Sequence, residues 1–269
     1  MTNPDIATGA PTPPVGFPDA PAVRQIAWSD VMAALRAGVA DFLAAPLYGL
    51  FFGAVFMLGG WLLLACVALW DTPWAILPLA IAFPLIGPFV AVGIYEVSRR
   101  LSAGEPLSWS GVLSVVFKQK DRQLAWMGFV MLFIFWIWAY QIRLLLALFL
   151  GFAPFSSLGG FIEVVLTTEN GLTFLGVGTV IGAFLAMALF SITVISTPLL
   201  VDRDYDIITA IVTSVTSVRR NPVPMITWGV VVTLAMLLAM APAFIGLLIV
   251  LPVLGHATWR LYERAIVRP

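Results

Sequence analysis

Six long apolar runs dominate the sequence, and their length restricts the fold more than any other feature. They are Pro46–Leu69, Trp74–Val97, Trp126–Leu150, Leu172–Leu200, Pro224–Ala241 and Ala243–Trp259. An α-helix rises about 1.5 Å per residue, so about 20 residues cross the roughly 30 Å hydrocarbon core of a bilayer. The sequence therefore predicts an all-α fold, a polytopic membrane helix bundle with six transmembrane helices. The partner that it predicts is the lipid bilayer.

The composition excludes an ordinary soluble domain. Apolar residues make up 61% of the chain and charged residues 10%, whereas roughly 25% of a soluble domain is charged. The formal net charge is zero, so we expect no nucleic-acid partner. Cys66 and His256 are the only cysteine and histidine. We therefore expect no disulfide framework, no haem or multi-ligand metal site, and no cofactor.

Prolines mark two boundaries in the sequence, one between the last two apolar runs and one before the first predicted helix. One uninterrupted helix over residues 224–259 would rise about 54 Å, so Pro242 predicts a tight hairpin between two short spans. The first 22 residues contain six prolines and no Lys or Arg, which predicts a disordered tail over residues 1–22. No basic start or apolar stretch of a secretory leader lies near Met1. Residues 23–269 are predicted to form a single integral membrane domain.

The basic residues indicate the orientation. Thirteen of the 14 Lys and Arg residues lie in the two termini and in the two long loops on the same predicted side, and Arg143 is the exception. The opposite loops carry Asp71, Glu163 and Glu169 and no cation. Because cytoplasmic loops are enriched in Lys and Arg, both termini are predicted to be cytoplasmic.

Three short amphipathic segments precede the predicted hairpins on the basic side. Their apolar positions are Trp28, Val31, Met32, Leu35, Val39, Phe42 and Leu43; Trp109, Val112, Leu113 and Val116; and Ile208, Ile211, Val212 and Val215. This spacing is typical of helices lying in the membrane interface. It predicts three cytoplasmic amphipathic helices in a threefold parallel repeat, with units of about 28–108, 109–207 and 208–269. The segments are either interfacial anchors alone or also surround a site at the hub of the repeats.

Arg143 lies well inside an apolar run, where an unpaired charge costs about 2.5–3.5 kcal/mol. It either snorkels to the outer headgroups or acts as a buried cation. In the second case it faces an anionic ligand or pairs with Glu163, Glu169 or Asp71.

Polar residues lie near the inner ends of predicted spans two and six. His256 fits a hydrogen bond to a neighbouring helix, and a proton relay with Glu96 is the alternative. Glu96 also has Arg100 four residues on, a spacing that suits a helical ion pair. Tyr95 precedes Glu96 just as Tyr262 precedes Glu263, which we interpret as a weak echo between units.

Asp202, Asp204 and Asp206 gather three carboxylates in one short segment. They form either a divalent-cation site or a solvated turn in which Asp206 caps the next helix; the spacing lacks the Gly and the bidentate Glu of known calcium loops. The pairs Gly49–Gly53 and Gly178–Gly182 fit close helix approach. No catalytic motif is present, so enzymatic activity is not expected.

Four stretches resemble a known family: GPFVAVGIYEVSRRL (87–101), PLLVDRDYDIITA (198–210), RNPVPM (220–225) and PVLGHATWRLY (252–262). The family contains predicted integral membrane proteins of bacteria, mainly proteobacteria, and is catalogued as a domain of unknown function. The resemblance implies a six-helix protein of the bacterial inner membrane and brings no activity or ligand. The sequence favours a non-enzymatic scaffold or a lipid- or protein-interacting protein; the alternative is a small-solute transporter or channel.

Overall fold

The computed structural model describes residues 20–69, 76–118, 123–151 and 158–267. Its helices are α1 (Trp28–Ala44), α2 (Pro46–Ala68), α3 (Ile76–Ala103), α4 (Trp109–Lys118), α5 (Gln123–Leu145, continued by a π-helical turn over Leu146–Leu150), α6 (Leu158–Thr167), α7 (Glu169–Thr193), α8 (Ser196–Asp202), α9 (Ile207–Arg220), α10 (Pro222–Met240) and α11 (Leu247–Ala265). Within these ranges the only β-type pairing is an isolated bridge between Val23 and Ile266. The predicted all-α fold is confirmed.

Five stretches of helix in the described ranges are long and apolar enough to cross a membrane. They are Pro46–Cys66, Ile81–Ala103, Gln123–Leu150, Glu169–Asp202 and Pro222–Met240. Each overlaps one of the first five apolar runs in the sequence. The protein is therefore a polytopic helical membrane bundle.

The sixth predicted span, Ala243–Trp259, is only partly helical. Residues 241–246 form a turn, so the helical part covers residues 247–259, about 20 Å in length. The Nε1–H of Trp61 donates to the carbonyl of Ala243 at 2.7 Å, which places the turn beside α2 before that helix ends at Ala68. The break at Pro242 is confirmed, whereas the six-span count stays a prediction.

The threefold repeat also stays a prediction. A short helix followed by two long helices occurs at α1–α3, again at α4, α5 and α7, and again at α9–α11, which is the order that the repeat requires. The helices α6 and α8 are additional to that pattern. The predicted tail over residues 1–22 lies almost entirely outside the described residues.

The helix α11 lies at the centre of the packing because α1 and α2 both run along it in the antiparallel direction. Asp30 contacts Arg264, Gly38 lies against Ala257, and Gly53 lies against Leu248. A methyl group placed on Gly38 would lie 2.5 Å from the backbone nitrogen of Ala257. The absence of side chains at these glycines lets the backbones approach closely, as the Gly49–Gly53 pair indicated.

Two of the amphipathic helices, α1 and α9, expose large apolar residues on one face and pack the other face against the protein. In α1, Leu43 is 69% exposed, while Val31 and Gly38 are buried against the bundle. In α9, Ile208 is 71% exposed, and the buried face is made of small and polar residues such as Ser214. An exposed apolar face opposite a protein-facing surface suits a helix at the membrane interface.

Asp206 caps α9, as predicted. Its Oδ1 accepts hydrogen bonds from the backbone N–H groups of Ile208 and Thr209, both at 2.9 Å. The Thr209 hydroxyl donates to Oδ2 at 2.6 Å. These bonds lower the pKa of the Asp206 carboxyl below its usual range, and the bond from the Thr209 hydroxyl has the largest effect.

We expect Gly38→Ala to lower the free energy of unfolding by about 1–3 kcal/mol, because the added methyl group collides with the backbone of α11. The matched control is Gly176→Ala in α7, where no atom lies within 4 Å of the new methyl group. That control leaves stability unchanged or slightly higher, since Ala is the better helix former. Thermal unfolding in detergent micelles measures both variants, and equal melting temperatures would contradict the close α1–α11 crossing.

Candidate functional site

A buried polar cluster joins α1, α3 and α11 at one end of the bundle. We call it the Asp41 cluster, and it consists of Asp41, Ser98, Ser102, His256 and Arg260. The Nε and Nη2 groups of Arg260 donate to the two carboxylate oxygens of Asp41 at 2.8 and 2.6 Å. The Ser98 hydroxyl donates to Asp41 Oδ2 at 2.8 Å, and Arg260 also donates to Ser102. Three helices are thus held together through one carboxylate.

His256 completes this cluster from within α11. Its Nδ1 lies 2.7 Å from the Ser98 hydroxyl oxygen. Because the single hydroxyl hydrogen of Ser98 is donated to Asp41, the Nδ1–H of His256 is the donor to Ser98. The predicted hydrogen bond from His256 to a neighbouring helix is confirmed. The other ring nitrogen, Nε2, is buried and has no hydrogen-bond partner among the described residues.

The bidentate geometry explains why a carboxylate is tolerated in this position. The side chain of Asp41 is 7% exposed and that of Arg260 is 20% exposed, so solvent screens the pair poorly. Removing one partner of a buried ion pair costs about 3–5 kcal/mol, because the other charge is left uncompensated. The partial exposure of Arg260 places the cost here toward the lower end of that range.

Glu96 forms a second ion-pair group, next to the Asp41 cluster. It is 1% exposed, and its oxygens accept from Arg99 at 2.7 and 2.9 Å and from Arg100 Nε at 2.6 Å. The pairing with Arg100 agrees with the prediction, and Arg99 is an additional partner that also donates to Glu105. His256 is hydrogen-bonded to Ser98 instead of Glu96, so the described contacts do not join the two residues of the hypothetical relay.

Tyr95 lines a cavity at the junction of the long helices. We call it the hub cavity; its volume is about 190 Å³, and its lining includes Tyr95, Met131, Phe190, Thr197, Trp228 and Thr258. These residues come from α3, α5, α7, α8, α10 and α11, so each of the three predicted units contributes. Tyr95 is 7% exposed, and its ring centroid lies 5.9 Å from that of Trp259. The hypothesis of a site at the hub of the repeats therefore has a physical location.

The three carboxylates after α7 have separate roles. Asp202 accepts a hydrogen bond from the Tyr262 hydroxyl at 2.7 Å and lies 3.5 Å from Arg203 Nε. Asp204 is exposed, and Asp206 caps α9. Within the described ranges, no group of three His, Cys, Asp or Glu residues is placed to hold a metal ion. The arrangement favours the solvated turn over the cation site.

Arg143 lies exposed on α5. The described residues place no acidic group within ion-pair distance of it, although two of the three predicted partners, Glu163 and Glu169, are described. Asp71, the third, falls outside the described residues. The position fits a side chain that snorkels along the helix surface toward the headgroups.

Sequence reasoning missed Asp41, on which the cluster depends. The residue lies ten positions after Val31 and three after Gly38, so it falls on the buried face of α1 together with Ala34. A carboxylate within an otherwise small and apolar face is the signal that could have identified it. The position was concealed because the stripe of large apolar residues does not mark one face: Val31 is buried, whereas Leu43 is exposed.

The fold and the buried cluster define a polytopic helical membrane protein with no recognised catalytic arrangement in its described part. Residues 76–202 match the model of a family described as predicted integral membrane protein, DUF2189, whose function is unknown. The predicted resemblance is thereby confirmed over that range, which holds the first of the four motifs and the start of the second. No curated protein and no solved structure matches the chain.

Asp41→Asn should lower stability by about 3 kcal/mol, because the buried Arg260 loses its compensating charge. Glu105→Gln is the matched control: it removes a carboxylate that is 43% exposed and pairs with Arg99. An exposed pair contributes about 0–1 kcal/mol, so this control changes little. Thermal unfolding in detergent measures both; equal losses would mean that the Asp41 cluster does not hold the helices together.

Arg143→Leu should leave the folded yield in detergent unchanged or raise it, because no described ion pair is lost and an exposed charge is removed from an apolar surface. Fluorescence-detected size-exclusion chromatography measures the yield. A large fall in the folded yield would show that the guanidinium has a partner, and it would support the interpretation of Arg143 as a buried cation.

Proposed function

We propose that this protein is a non-enzymatic, lipid-interacting protein of the bacterial inner membrane, with both termini in the cytoplasm. The observation that carries the proposal is an apolar groove between α5 and α7. It has a volume of about 450 Å³, and its lining is almost entirely apolar. The lining consists of Met131, Ile134, Phe135, Trp138, Gly182, Leu185, Ala186 and Leu189.

The loose packing between α5 and α7 supports the proposal that lipid fills the groove. Few residues in either span are buried by the protein, in contrast to Ile81–Ala103, where about half are. Phe133 on α5 and Phe184 on α7 are 59% and 72% exposed. At Gly182 the nearest atom to an added methyl group is Trp138 Nε1 at 3.8 Å, so the helices do not close on each other there. Acyl chains have the apolar surface and flexibility to fill such a space.

The packing of the charged segments supports the proposed orientation. Arg24 N donates to the carbonyl of Ala265, and Asn221 donates to the carbonyl of Arg24. Arg203 donates to the carbonyl of Val267. The first described segment, the start of α10 and the end of α11 therefore meet at one end of the bundle. That end holds most of the basic residues, and the positive-inside rule assigns it to the cytoplasm.

The alternative function, transport of a small solute, receives less support from the same side chains. Glu96 and His256 are engaged in ion pairs and hydrogen bonds, and neither lines the hub cavity. A transport path for a charged solute uses polar groups that face water. The hub cavity is lined by neutral residues.

Gly182→Leu tests the groove by filling it. The protein should fold normally, because a methyl group on Gly182 meets only ordinary contacts. It should retain at least twofold less lipid per protein after detergent extraction. Gly176→Leu is the control, since Gly176 on the same helix has open space around it and does not line the groove. Quantitative lipid mass spectrometry of both purified variants, normalised to wild type, measures the effect; equal lipid retention would count against the groove.

A further inference from the structure

The groove and the hub cavity adjoin each other, and we call the two together the crevice. Met131 lines both, and Leu189 of the groove is followed in α7 by Phe190 of the cavity. The groove is apolar, whereas the cavity has hydroxyl and indole groups in its lining. An apolar channel that ends in a polar pocket has the shape and polarity of a site for an amphiphile whose chain and head bind in different places.

Two residues that line the hub cavity carry hydrogen-bond donors that have no partner among the described residues. Trp228 is 1% exposed and Tyr95 is 7% exposed. Neither the Tyr95 hydroxyl nor the Trp228 indole N–H forms a hydrogen bond with any residue in the described ranges, and neither atom is fully enclosed by protein. Buried tyrosine and tryptophan usually find a hydrogen-bond partner for these groups. Both groups are therefore free to donate to an acceptor that enters the cavity.

The threonines of the cavity have already donated their hydrogens. Thr193, Thr197 and Thr258 each donate to the carbonyl four residues earlier in the chain, at 2.8, 3.0 and 2.8 Å. Their oxygens add polarity without adding donors. The donors that remain for a ligand are those of Tyr95 and Trp228, which suits a head group with carbonyl oxygens.

The charge and size of the cavity restrict which head groups it can bind. No lining residue is charged, and the neighbouring Glu96 is neutralised by Arg99 and Arg100. An anionic or cationic head group would therefore be desolvated without a counterion, which is costly. The volume of about 190 Å³ exceeds the roughly 150 Å³ of a cavity that holds benzene, so the head is about the size of one ring.

We propose that the crevice binds an uncharged lipid whose head group carries carbonyl oxygens and is about one ring in size. The head accepts hydrogen bonds from Tyr95 and Trp228 in the hub cavity, and the chain lies in the groove between α5 and α7. This inference rests on the proposed function, because it names the kind of lipid that the groove takes.

Three probes with one ring and the same chain test the proposal: decyl-1,4-benzoquinone, decylbenzene and 4-decylbenzoate. Native mass spectrometry of the full-length protein measures their dissociation constants at pH 8. The quinone should bind at least tenfold more tightly than decylbenzene, which lacks oxygens, and than the benzoate, which is an anion. Equal binding of decylbenzene would overturn the hydrogen-bonded head group, and equal binding of the benzoate would overturn the preference for a neutral one.

Variants then locate the head group. Tyr95→Phe and Trp228→Phe should each weaken binding of the quinone about fivefold, the factor that corresponds to one neutral hydrogen bond. Tyr140→Phe is the matched control, because Tyr140 is 61% exposed on α5 and lies outside the crevice. Tyr95→Phe preserves the ring and its packing, so the result does not depend on the larger change at Trp228.

The combined results separate the two proposals. If Gly182→Leu lowers lipid retention while both cavity variants bind the quinone like wild type, the groove stands and the head-group inference is wrong. If the cavity variants weaken quinone binding while Gly182→Leu retains normal lipid, the head-group site is supported and the groove is wrong.

Discussion

The ion pair between Asp41 and Arg260 is the interaction on which the centre of this bundle depends. It ties the amphipathic helix α1 to α11, and the Ser98 hydroxyl connects the same carboxylate to α3, where it also accepts from His256 of α11. A carboxylate is expensive to place at a buried helix interface unless its oxygens are fully hydrogen-bonded. Because glycines let α1 and α2 lie directly against α11, the charged groups are brought within bonding distance.

This centre contrasts with the outer helices. The described parts of α1, α3 and α11 bury charged groups that are joined by ion pairs and hydrogen bonds, while α5 and α7 leave large apolar side chains exposed. Lipid provides no hydrophobic drive for two apolar helices to close, so their association depends on close packing and hydrogen bonds. The pair α5–α7 has little of either at Gly182, which leaves a crevice. A tightly bonded centre beside a loosely packed pair of helices would give the proposed lipid site a stable frame.

The hub cavity lies between these two regions. The ring of Tyr95 packs near Trp259 in the bonded centre, and the residue also lines the cavity that adjoins the groove. The burial that orients Tyr95 and Trp228 is therefore provided by the same packing that positions the Asp41 cluster. In this arrangement the ends of α3 and α11 that hold the Asp41 cluster have a structural role, and the neutral residues beside them carry the proposed binding.

Much of the architecture could be predicted from the sequence, because long apolar runs and side-specific basic residues follow directly from the thickness and polarity of a membrane. Local contacts were also accessible: the Asp206 cap and the Glu96–Arg100 pair depend on residues within four positions of each other. The ion pair of Asp41 could not be predicted from local spacing, since its partner Arg260 is 219 positions distant in the sequence. Only the tertiary structure decided which face of α1 is buried, where the α10–α11 turn lies, and which residues line the hub cavity. These depend on how helices distant in sequence pack, and an apolar side chain can be buried equally well by lipid or by protein.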